Sequence, residues 1–385
     1  MGKIDVGCYY FPNYHRCDER NAAAHGAGWS EWELVKAARP RFPGHRQPKV
    51  PLWGYCDESD PAVMKQKILA ARNHGIDYFI FDYYHYADGP FLSHCLDDGF
   101  LPAVSGEAFR FALMWANHDW IDIHPRKRST PPALLYPGAV TPEQFQQITD
   151  SIIERYFQHP NYYRRDGKPY FSIYHLQELI RGLGGFQETR NALKNFREQA
   201  EKSGLPGLHL NAVVWGSPVL PGEEEDRPRG EIVQALGFDS VSSYVWIHHF
   251  SLPKQTEYPY PKAMESYFHA WDELEKSCSL PYYPNVTMGW DPAPRTESTD
   301  VWDPHLGYPY TCTLSENTPE NFRIALRETR KRLEQRGIPT FSINCWNEWT
   351  EGSMLEPEGL YGMGYLEALK KIFPPIQLTV QENDE

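Results

Sequence analysis

The chain has 385 residues, 41% of them hydrophobic, and carries 38 Lys and Arg residues against 51 Asp and Glu residues, a formal net charge of −13. This acidic balance argues against a nucleic-acid-binding protein, which needs a basic surface to displace counterions from phosphates. No apolar run is long enough to span a bilayer and the first residues contain no signal-peptide core, so we expect a cytoplasmic protein without a membrane span. A secreted or periplasmic location stays open for a chain that has lost a leader.

Seven cysteines are scattered along the chain without any C-x-x-C pair. This pattern favours reduced thiols and predicts neither a disulfide framework nor a structural zinc site, and we expect no metal and no other cofactor. Aromatic residues make up 14% of the chain. That composition fits long loops with aromatic surfaces, of the kind on which sugars stack.

Strand-sized apolar runs recur along the whole sequence. Most are apolar at successive positions, which is typical of parallel strands buried on both faces. The predicted strands cover residues 4–11, 76–84, 109–115, 170–174, 208–215, 240–246, 283–290 and 340–346.

Helical patterns separate these runs, and several have clear start and stop signals. A cap residue followed by proline opens helices at Asp60, Thr141 and Thr318. Gly75 and Gly337 are placed to end the first and the third of them. Further helices are predicted over 186–203, 262–278 and 363–372.

Alternating strands and helices indicate an α/β protein built as a (β/α)8 or TIM barrel, with elaborated loops at its C-terminal face. We expect a single catalytic domain over residues 1–375 and an acidic tail over 376–385. The alternative is an open doubly wound sheet. Its nucleotide-binding versions lose support because no G-x-G-x-x-G follows the first strand and no Walker loop is present.

Polar and aromatic side chains stand where the predicted strands end, which is where a barrel places its reactive residues. Sugars suit such a surface, because their C–H faces stack on rings and their hydroxyls take directed hydrogen bonds. We therefore expect an oligo- or polysaccharide substrate. The predicted substrate-binding residues are Tyr10, Trp32, Asp82, Tyr84, His85, Trp115, Asn117, His118, Tyr244, Trp246, Trp290, Asn347 and Trp349.

Two carboxylates three residues apart, Glu348 and Glu351, follow the eighth strand. In a helical turn their Cβ atoms would lie about 5–6 Å apart, closer to the spacing of retaining than of inverting glycosidases. Such proximity separates the two pKa values, so that one group stays protonated as an acid. A Glu-x-x-Glu pair is common on solvated helices, but here Trp346 and Trp349 flank it and a strand leads into it.

The segment 344–365 (NCWNEWTEGSMLEPEGLYGMGY) resembles the WbsX-like proteins, which are relatives of the family 99 glycoside hydrolases, the endo-α-mannosidase group. Further similar motifs run in consistent order through the chain. They are G-W-S-E-W at 28–32, P-R-F-P-G-H-R-Q-P at 40–48, W-A-N at 115–117 and G-W-D-P-A-P-R at 289–295.

The resemblance implies a (β/α)8 barrel and roles for both glutamates. Glu348 would deprotonate the sugar 2-hydroxyl, which would attack C1 and form a 1,2-anhydro sugar. Glu351 would protonate the leaving oxygen and then activate the water that opens the epoxide, with net retention. The chain departs from the family at His118, where relatives have glutamate, which implies a shifted substrate preference.

Two other functions stay open. One is a glycosyltransferase of surface-polysaccharide biosynthesis, although the sequence contains neither a phosphate cradle for a nucleotide sugar nor a D-x-D metal site. The other is a carbohydrate-binding pseudoenzyme.

Three further features have a structural interpretation. Asp291 and Arg295 are predicted to form an internal ion pair. The adjacent His248 and His249 would point apart on an extended chain and are not favoured as metal ligands, and Glu356 is favoured as structural.

Overall fold

The computed structural model describes residues 3–215 and 229–375 of the chain. The predicted acidic tail, 376–385, lies outside the described residues. The strands of the barrel are β1 (Asp5–Tyr10), β2 (Tyr78–Tyr86), β3 (Arg110–Trp115), β4 (Lys168–Ile173), β5 (His209–Val213), β6 (Ser240–Ser242), β7 (Tyr282–Tyr283), β8 (Asn285–Thr287) and β9 (Thr340–Asn344). These parallel strands surround a common axis in the order β7-β6-β5-β4-β3-β2-β1-β9-β8.

β7 and β8 are two halves of one barrel position, separated by Pro284. β7 pairs with β6, and β8 pairs with β9. The broken strand therefore bridges β6 and β9 and brings the two ends of the sheet together. Proline has no N–H to donate to a sheet, and the Pro284 carbonyl instead accepts from the Ser342 N–H at 2.9 Å. The predicted (β/α)8 barrel is therefore confirmed, although the seventh strand is shorter than predicted and divided.

Helices alternate with the strands along the chain. The predicted helix starts are confirmed, since the side chains of Asp60, Thr141 and Thr318 each accept a hydrogen bond from a backbone N–H of the first helical turn. None of the helices in the described ranges is long and apolar enough to cross a bilayer. The helices are α1 (Glu19–His25), α2 (Trp32–Ala37), α3 (Pro61–Asn73), α4 (Leu101–Val104), α5 (Pro142–Ile152), α6 (Leu176–Leu183), α7 (Phe186–Lys202), α8 (Arg229–Leu236), α9 (Tyr260–Ser277), α10 (Pro319–Arg336) and α11 (Gly364–Ile372).

Short elements elaborate the connections. Two π-helical turns cover Cys95–Phe100 and Ile153–Phe157, and 3₁₀ turns cover Trp246–His248, Ala293–Arg295, Pro304–Leu306 and Trp349–Glu351. Additional small strands are Gly89–Phe91, Trp120–Ile121, Leu134–Tyr136, Arg164–Arg165, Glu257–Pro259, Thr313–Ser315, Asn347–Glu348 and Ser353–Met354. The sixth predicted strand, 240–246, ends early because Trp246 begins a 3₁₀ turn and its N–H binds Thr287 Oγ1 at 2.9 Å.

The interior of the barrel contains a hydrogen-bonded polar layer. Asn211 Oδ1 accepts from the hydroxyls of Ser172 and Ser242 at 2.8 and 2.7 Å. On β8 and β9, Asn285 donates to the Ser342 hydroxyl at 3.1 Å. Because these buried groups satisfy one another, the layer ties neighbouring strands together beneath the loops.

The two-residue period of a strand decides which side chains reach the mouth of the barrel. On β2, Asp82 and Tyr84 face the interior, whereas the Tyr83 ring lies 5.7 Å from Tyr156 of an outer π-helical turn. On β3, Met114 faces the interior. This alternation sorts the predicted site residues into two groups.

Candidate active site

A cavity of about 490 Å³ opens at the carboxyl ends of the strands. This volume lies within the roughly 300–1,000 Å³ that is usual for small-molecule sites. The structure brings together at its wall the predicted residues Asp82, Tyr84, His118, Tyr244, Trp290, Glu348 and Glu351.

The acidic pair is held by a compact turn. Asn347–Glu348 pairs with Ser353–Met354, and Trp349–Glu351 forms the 3₁₀ turn between these short strands. Gly352 closes the turn with φ 67°, and a Cβ there would lie 2.6 Å from the Asp291 Cβ. The turn leaves Glu348 and Glu351 buried, at 3% and 7% exposure.

Arg295 joins the two glutamates from one guanidinium. Its Nη2 lies 3.3 Å from Glu348 Oε2, and its Nη1 lies 2.6 Å from Glu351 Oε1. The Tyr308 hydroxyl also donates to Glu351 Oε1 at 2.7 Å. Both carboxyls therefore converge on a common point of the cavity wall.

Glu31 completes the ion cluster and was not among the predicted site residues. Its Oε1 accepts from Arg295 Nη2 at 3.0 Å and Nε at 3.1 Å. The motif that it belongs to, G-W-S-E-W, was recognised in the sequence, but nothing there indicates that this glutamate reaches the eighth-strand loop. We call Arg295, Glu31, Glu348 and Glu351 the Arg295 cluster.

The predicted ion pair between Asp291 and Arg295 is wrong. Asp291 Oδ2 instead faces His45 Nε2 at 3.1 Å, Gln47 Nε2 at 2.7 Å and Lys49 Nζ at 3.4 Å. Burial alone would raise the pKa of Asp291, but these three partners hold it well below its usual range. The contacts brace the loop 40–48 against the seventh-strand loop, and they free Arg295 for the glutamates.

Charge and burial separate the carboxyls of the cluster. Burial raises the pKa of Glu348 and of Glu351, Arg295 offsets part of this effect, and the negative charge of Glu31 adds to it. The pKa of Glu31 is lowered instead, because the attraction of Arg295 and its hydrogen bonds outweigh the effect of burial. The cluster thus contains carboxyls of unequal acidity, as acid–base catalysis requires.

Several predicted substrate contacts lie behind the cavity wall. Tyr10 and Trp115 point away from the interior, Tyr10 to bond Glu58 at 2.9 Å and Trp115 to pack on Phe145 of α5. His85 alternates in the same way and bonds the Tyr86 carbonyl. The physical reason is strand alternation, which turns every second side chain of a strand away from the barrel interior.

Two asparagines fasten backbone instead of facing the cavity. Asn347 accepts from the Phe11 N–H at 2.8 Å and donates to the Phe11 carbonyl at 2.7 Å. Asn117 makes the same two contacts with His175, at 2.8 and 2.9 Å. Their amides tie neighbouring strand ends together, so they do not line the cavity.

Three predicted tryptophans are also placed outside the cavity. Trp246 packs on Tyr260 and Tyr267 of α9. Trp32 and Trp349 pack on each other at 5.6 Å, and their indole N–H groups are used by Cys56 O and Glu356 Oε2. A tryptophan at a strand end is therefore no sufficient indication of sugar stacking.

A buried ion triad lies beneath the acidic turn, where Lys67 Nζ contacts both Glu58 and Glu356. Glu356 accepts the indole N–H groups of Trp346 and Trp349, which flank the catalytic candidates. This agrees with the structural interpretation of Glu356. We call Glu58, Lys67 and Glu356 the Lys67 triad.

Histidine and aromatic rings supply much of the remaining wall. Burial lowers the pKa of His118, and it lowers those of His124, His175 and His248 to about 4. These imidazoles are therefore neutral near pH 7. Of the described side chains at the cavity wall, only Arg295 carries a fixed positive charge. Wall residues not predicted from the sequence include Phe11, Met114, Trp120, Tyr174 and Tyr308.

The described residues contain no group of three or more His, Cys, Asp or Glu side chains arranged to hold a metal ion. The His248 ring lies against Trp215 and Tyr244, at 5.2 and 6.3 Å. It belongs to the aromatic wall.

Comparison with solved structures identifies similar barrels. The family 99 endo-α-mannosidase from Bacteroides thetaiotaomicron, in complex with bis-tris-propane, matches with a TM-score of 0.58 at 14% identity, over 96% of this chain and 95% of that one. A structure described as a glycoside hydrolase-like protein matches with a TM-score of 0.60 at 16% identity, over 97% and 94%. At these identities the likeness shows the fold.

Sequence comparison gives a curated relative and a family. An uncharacterized protein, WxcX of Xanthomonas campestris pv. campestris, is 25% identical over 94% of this chain and 48% of its own length. The chain thus spans about half the length of that relative. The family model described as "Glycosyltransferase WbsX" matches residues 6–369. Because this match covers nearly the whole chain, the protein belongs to the WbsX glycosyltransferase family.

Proposed function

We propose that this protein is a retaining glycoside hydrolase in which Glu348 and Glu351 are the acid–base pair. The observation that carries the proposal is their convergence on Arg295 in the wall of a ring-lined cavity, with distances of 3.3 and 2.6 Å. The glycosidase-like barrel is shared with solved glycoside hydrolases. The reaction itself is our inference from the site.

In the proposed first step, Glu348 removes the proton from the 2-hydroxyl of the sugar. The oxygen attacks C1 while the bond from C1 to the leaving oxygen breaks, and Glu351 donates its proton to that oxygen. The products of this step are the free leaving alcohol and a 1,2-anhydro sugar.

In the second step, Glu351 takes a proton from water, whose oxygen attacks C1 and opens the epoxide. Glu348 returns its proton to the 2-oxygen, so the pair is restored and the configuration at C1 is retained. Arg295 and Tyr308 stabilise the carboxylate of Glu351 after it has given up its proton, because both donate to Oε1.

Two isosteric variants with different leaving groups test the assignment. We expect Glu348→Gln and Glu351→Gln each to lower kcat by about 100-fold or more, the usual scale of general acid–base catalysis. A 2,4-dinitrophenyl glycoside needs no proton on its leaving group, so Glu351→Gln should keep far more activity on it than on an unactivated glycoside. Glu348→Gln should lose activity on both.

The control is Glu320→Gln, an exposed helical glutamate on α10 at 63% side-chain exposure, which should leave all rates unchanged. Full activity in either active-site variant would contradict the proposal. If the wild type binds sugar but turns it over only in traces, and both variants show the same trace rate, the result would favour a pseudoenzyme.

Ligand binding provides a separate test of the cavity. Its wall carries Asp119 and three further carboxyls, Asp82, Glu348 and Glu351, whose ionised form a bound ammonium would favour, against one guanidinium, Arg295. We therefore expect a polyhydroxylated amine such as bis-tris-propane, present in the complex of the solved endo-mannosidase, to bind in this cavity. Its affinity should fall as the salt concentration rises. Isothermal titration calorimetry measures this directly.

A glycosyltransferase is the second candidate, because the family is described by that activity. A nucleotide-sugar donor would bring a diphosphate to a wall with a single fixed cation and several carboxylates, an unfavourable match. Binding of a nucleoside diphosphate, measured by calorimetry with UDP and GDP, would favour the transferase.

A further inference from the structure

The Arg295 cluster holds three carboxylates on one positive charge. Glu31, Glu348 and Glu351 are exposed by 0%, 3% and 7%, so water screens none of them well. If all three were ionised, the buried cluster would carry an excess of two negative charges, which burial strongly disfavours. At least one carboxyl should therefore hold a proton in the resting protein.

The hydrogen-bond donors decide which carboxyl is ionised. Glu31 Oε1 accepts from Arg295 Nε, Arg295 Nη2 and the Thr350 hydroxyl. Its other oxygen accepts from Asn13 Nδ2 at 2.6 Å. Glu348 accepts one hydrogen bond from the guanidinium, at 3.3 Å, and Glu351 accepts two, from Arg295 and Tyr308. Glu31, with four, is the carboxyl most strongly held in its ionised form, so the proton is left to the pair. A carboxylate that accepts several hydrogen bonds is the one that stays charged.

We propose that Glu31 is a positioning residue that stays ionised, occupies the Nε–Nη2 edge of Arg295, and thereby leaves one shared proton on the Glu348–Glu351 pair. This inference rests on the proposed function and deepens it, since it explains how a buried pair keeps the proton that the first step consumes. Glu31 acts through Arg295 and does not line the cavity.

Other titratable groups face the Arg295 cluster from neighbouring elements. His124, from the loop after β3, and His25, from α1, interact electrostatically with Glu31, and burial lowers the pKa of both, so they are neutral near pH 7. The hydroxyls of Tyr14 and Tyr308 have a raised pKa through burial and also stay neutral. Burial raises the pKa of Asp82 as well, so it brings no permanent charge.

The remaining neighbours do not change this balance. Tyr84, Tyr174 and Tyr244 of the wall have a raised pKa through burial. Behind the acidic turn, Lys49 lies 3.4 Å from Asp291, and the two charges offset each other. Arg295 is thus the cation for which the three glutamates compete.

The test is the titration of glutamate side chains by ¹³C NMR in protein labelled at the glutamate carboxyl carbons. Resonances of Glu31, Glu348 and Glu351 are assigned by their loss in the three Gln variants. We expect one step of the catalytic pair to titrate well above the ordinary glutamate range, and Glu31 to stay ionised throughout. In Glu31→Gln the raised step should move down by about one pH unit or more, because Arg295 is then shared by two carboxyls.

Two variants keep the test decisive. Ser30→Ala is the matched control, since Ser30 is buried beside Glu31 and its hydroxyl has no hydrogen-bond partner among the described residues, so the titration should not change. If Glu31→Gln does not fold, Asn13→Ala provides the second test. It removes one hydrogen-bond donor from Glu31 and should raise the pH at which Glu31 takes up a proton. The proposal is overturned if the raised titration step of the pair stays at its wild-type pH in Glu31→Gln. It is also overturned if the titration of Glu31 is unchanged in Asn13→Ala.

The titration requires no substrate, so its failure is separable from failure of the proposed hydrolysis. Expected titrations with full activity in Glu348→Gln and Glu351→Gln would preserve the charge arrangement and reject the hydrolase. Collapse of activity in those variants, with the raised step unmoved in Glu31→Gln, would reject only the role of Glu31.

Discussion

Tyr308 shows how one hydroxyl can tune the acid–base pair. It donates to Glu351 Oε1 at 2.7 Å and also contacts Arg295. Burial raises its pKa, so it stays a neutral donor. It therefore stabilises the ionised form of Glu351 more than the protonated form.

Tyr308→Phe should lower kcat by about 10-fold or more, because a hydrogen bond to a charged group contributes about 1.5–3 kcal/mol. The pKa assigned to Glu351 in the pH profile of kcat/KM should rise. The control is Tyr310→Phe. The Tyr310 hydroxyl donates to Asp300 at 2.6 Å and does not contact the glutamate pair, so its loss should leave the pH profile unchanged. A Tyr308→Phe enzyme with the wild-type profile would refute this role.

Asp82 is a buried carboxyl that lowers stability at neutral pH. One oxygen accepts from the Tyr244 hydroxyl at 3.0 Å, and the other has no hydrogen-bond partner among the described residues. Burial raises its pKa well above 3.8. The folded chain therefore holds this proton more tightly than the unfolded chain, and the associated stability is lost as pH rises through the folded pKa.

Asp82→Asn should accordingly raise Tm at pH 8 relative to the wild type. Near pH 3.5, where Asp82 is protonated in the folded chain and largely protonated in the unfolded one, the gain should shrink. Thermal unfolding followed by circular dichroism at both pH values provides the comparison. An equal shift of Tm at both pH values would show that the pKa of Asp82 is not raised.

The limits of sequence reasoning are clearest among single residues. Glu348 and Glu351 could be chosen because a strand and two tryptophans frame them. Glu31 and Tyr308 could not be placed beside them, because Glu31 lies 264 positions before Arg295 and 319 before Thr350, and Tyr308 lies 43 positions before Glu351. Contacts of such long range depend on the closed barrel, which local patterns do not specify.

At the level of elements, strand alternation explains most of the misplaced residues. Phe11 and Asp82 reach the cavity, whereas Tyr10 and His85 on the same two chain segments do not. A period of two applied to each strand would have separated them before the structure was known. The break at Pro284 could also be predicted from the sequence, because proline is disfavoured inside a central strand.

The acidic turn rests on the Lys67 triad, which links α3 to the segment after β9. Lys67 is 2% exposed and pairs with two carboxyls that hold Asn347, Trp346 and Trp349 in place. Its pKa is raised, because Glu356 and Glu58 outweigh the effect of burial. The triad thus fixes the position of the catalytic candidates from below.

Lys67→Met should destabilise the protein by about 3–5 kcal/mol, because removal of one partner leaves buried carboxylates unpaired. The triple variant Lys67→Met with Glu58→Gln and Glu356→Gln should recover part of that loss. Urea unfolding measures both changes. A single variant as stable as the wild type would mean that the triad does not hold the turn.

At the level of the whole molecule, the chain is a (β/α)8 barrel of the WbsX family with a carboxylate-rich cavity at the carboxyl ends of its strands. The eight predicted strand positions were recognisable because parallel strands buried on both faces have a strong apolar signature. The chain spans about half the length of its curated relative. The reaction proposed for this site predicts that the configuration at C1 is retained.

The most direct test of that claim is the configuration of the first product. ¹H NMR during turnover of α- and β-glycosyl fluorides with a free 2-hydroxyl should show initial release of the sugar with the configuration of the substrate, and the matching 2-deoxy fluorides should not be turned over. Initial release of the opposite anomer, or equal turnover of the 2-deoxy compounds, would contradict retention through neighbouring-oxygen attack by the Glu348–Glu351 pair.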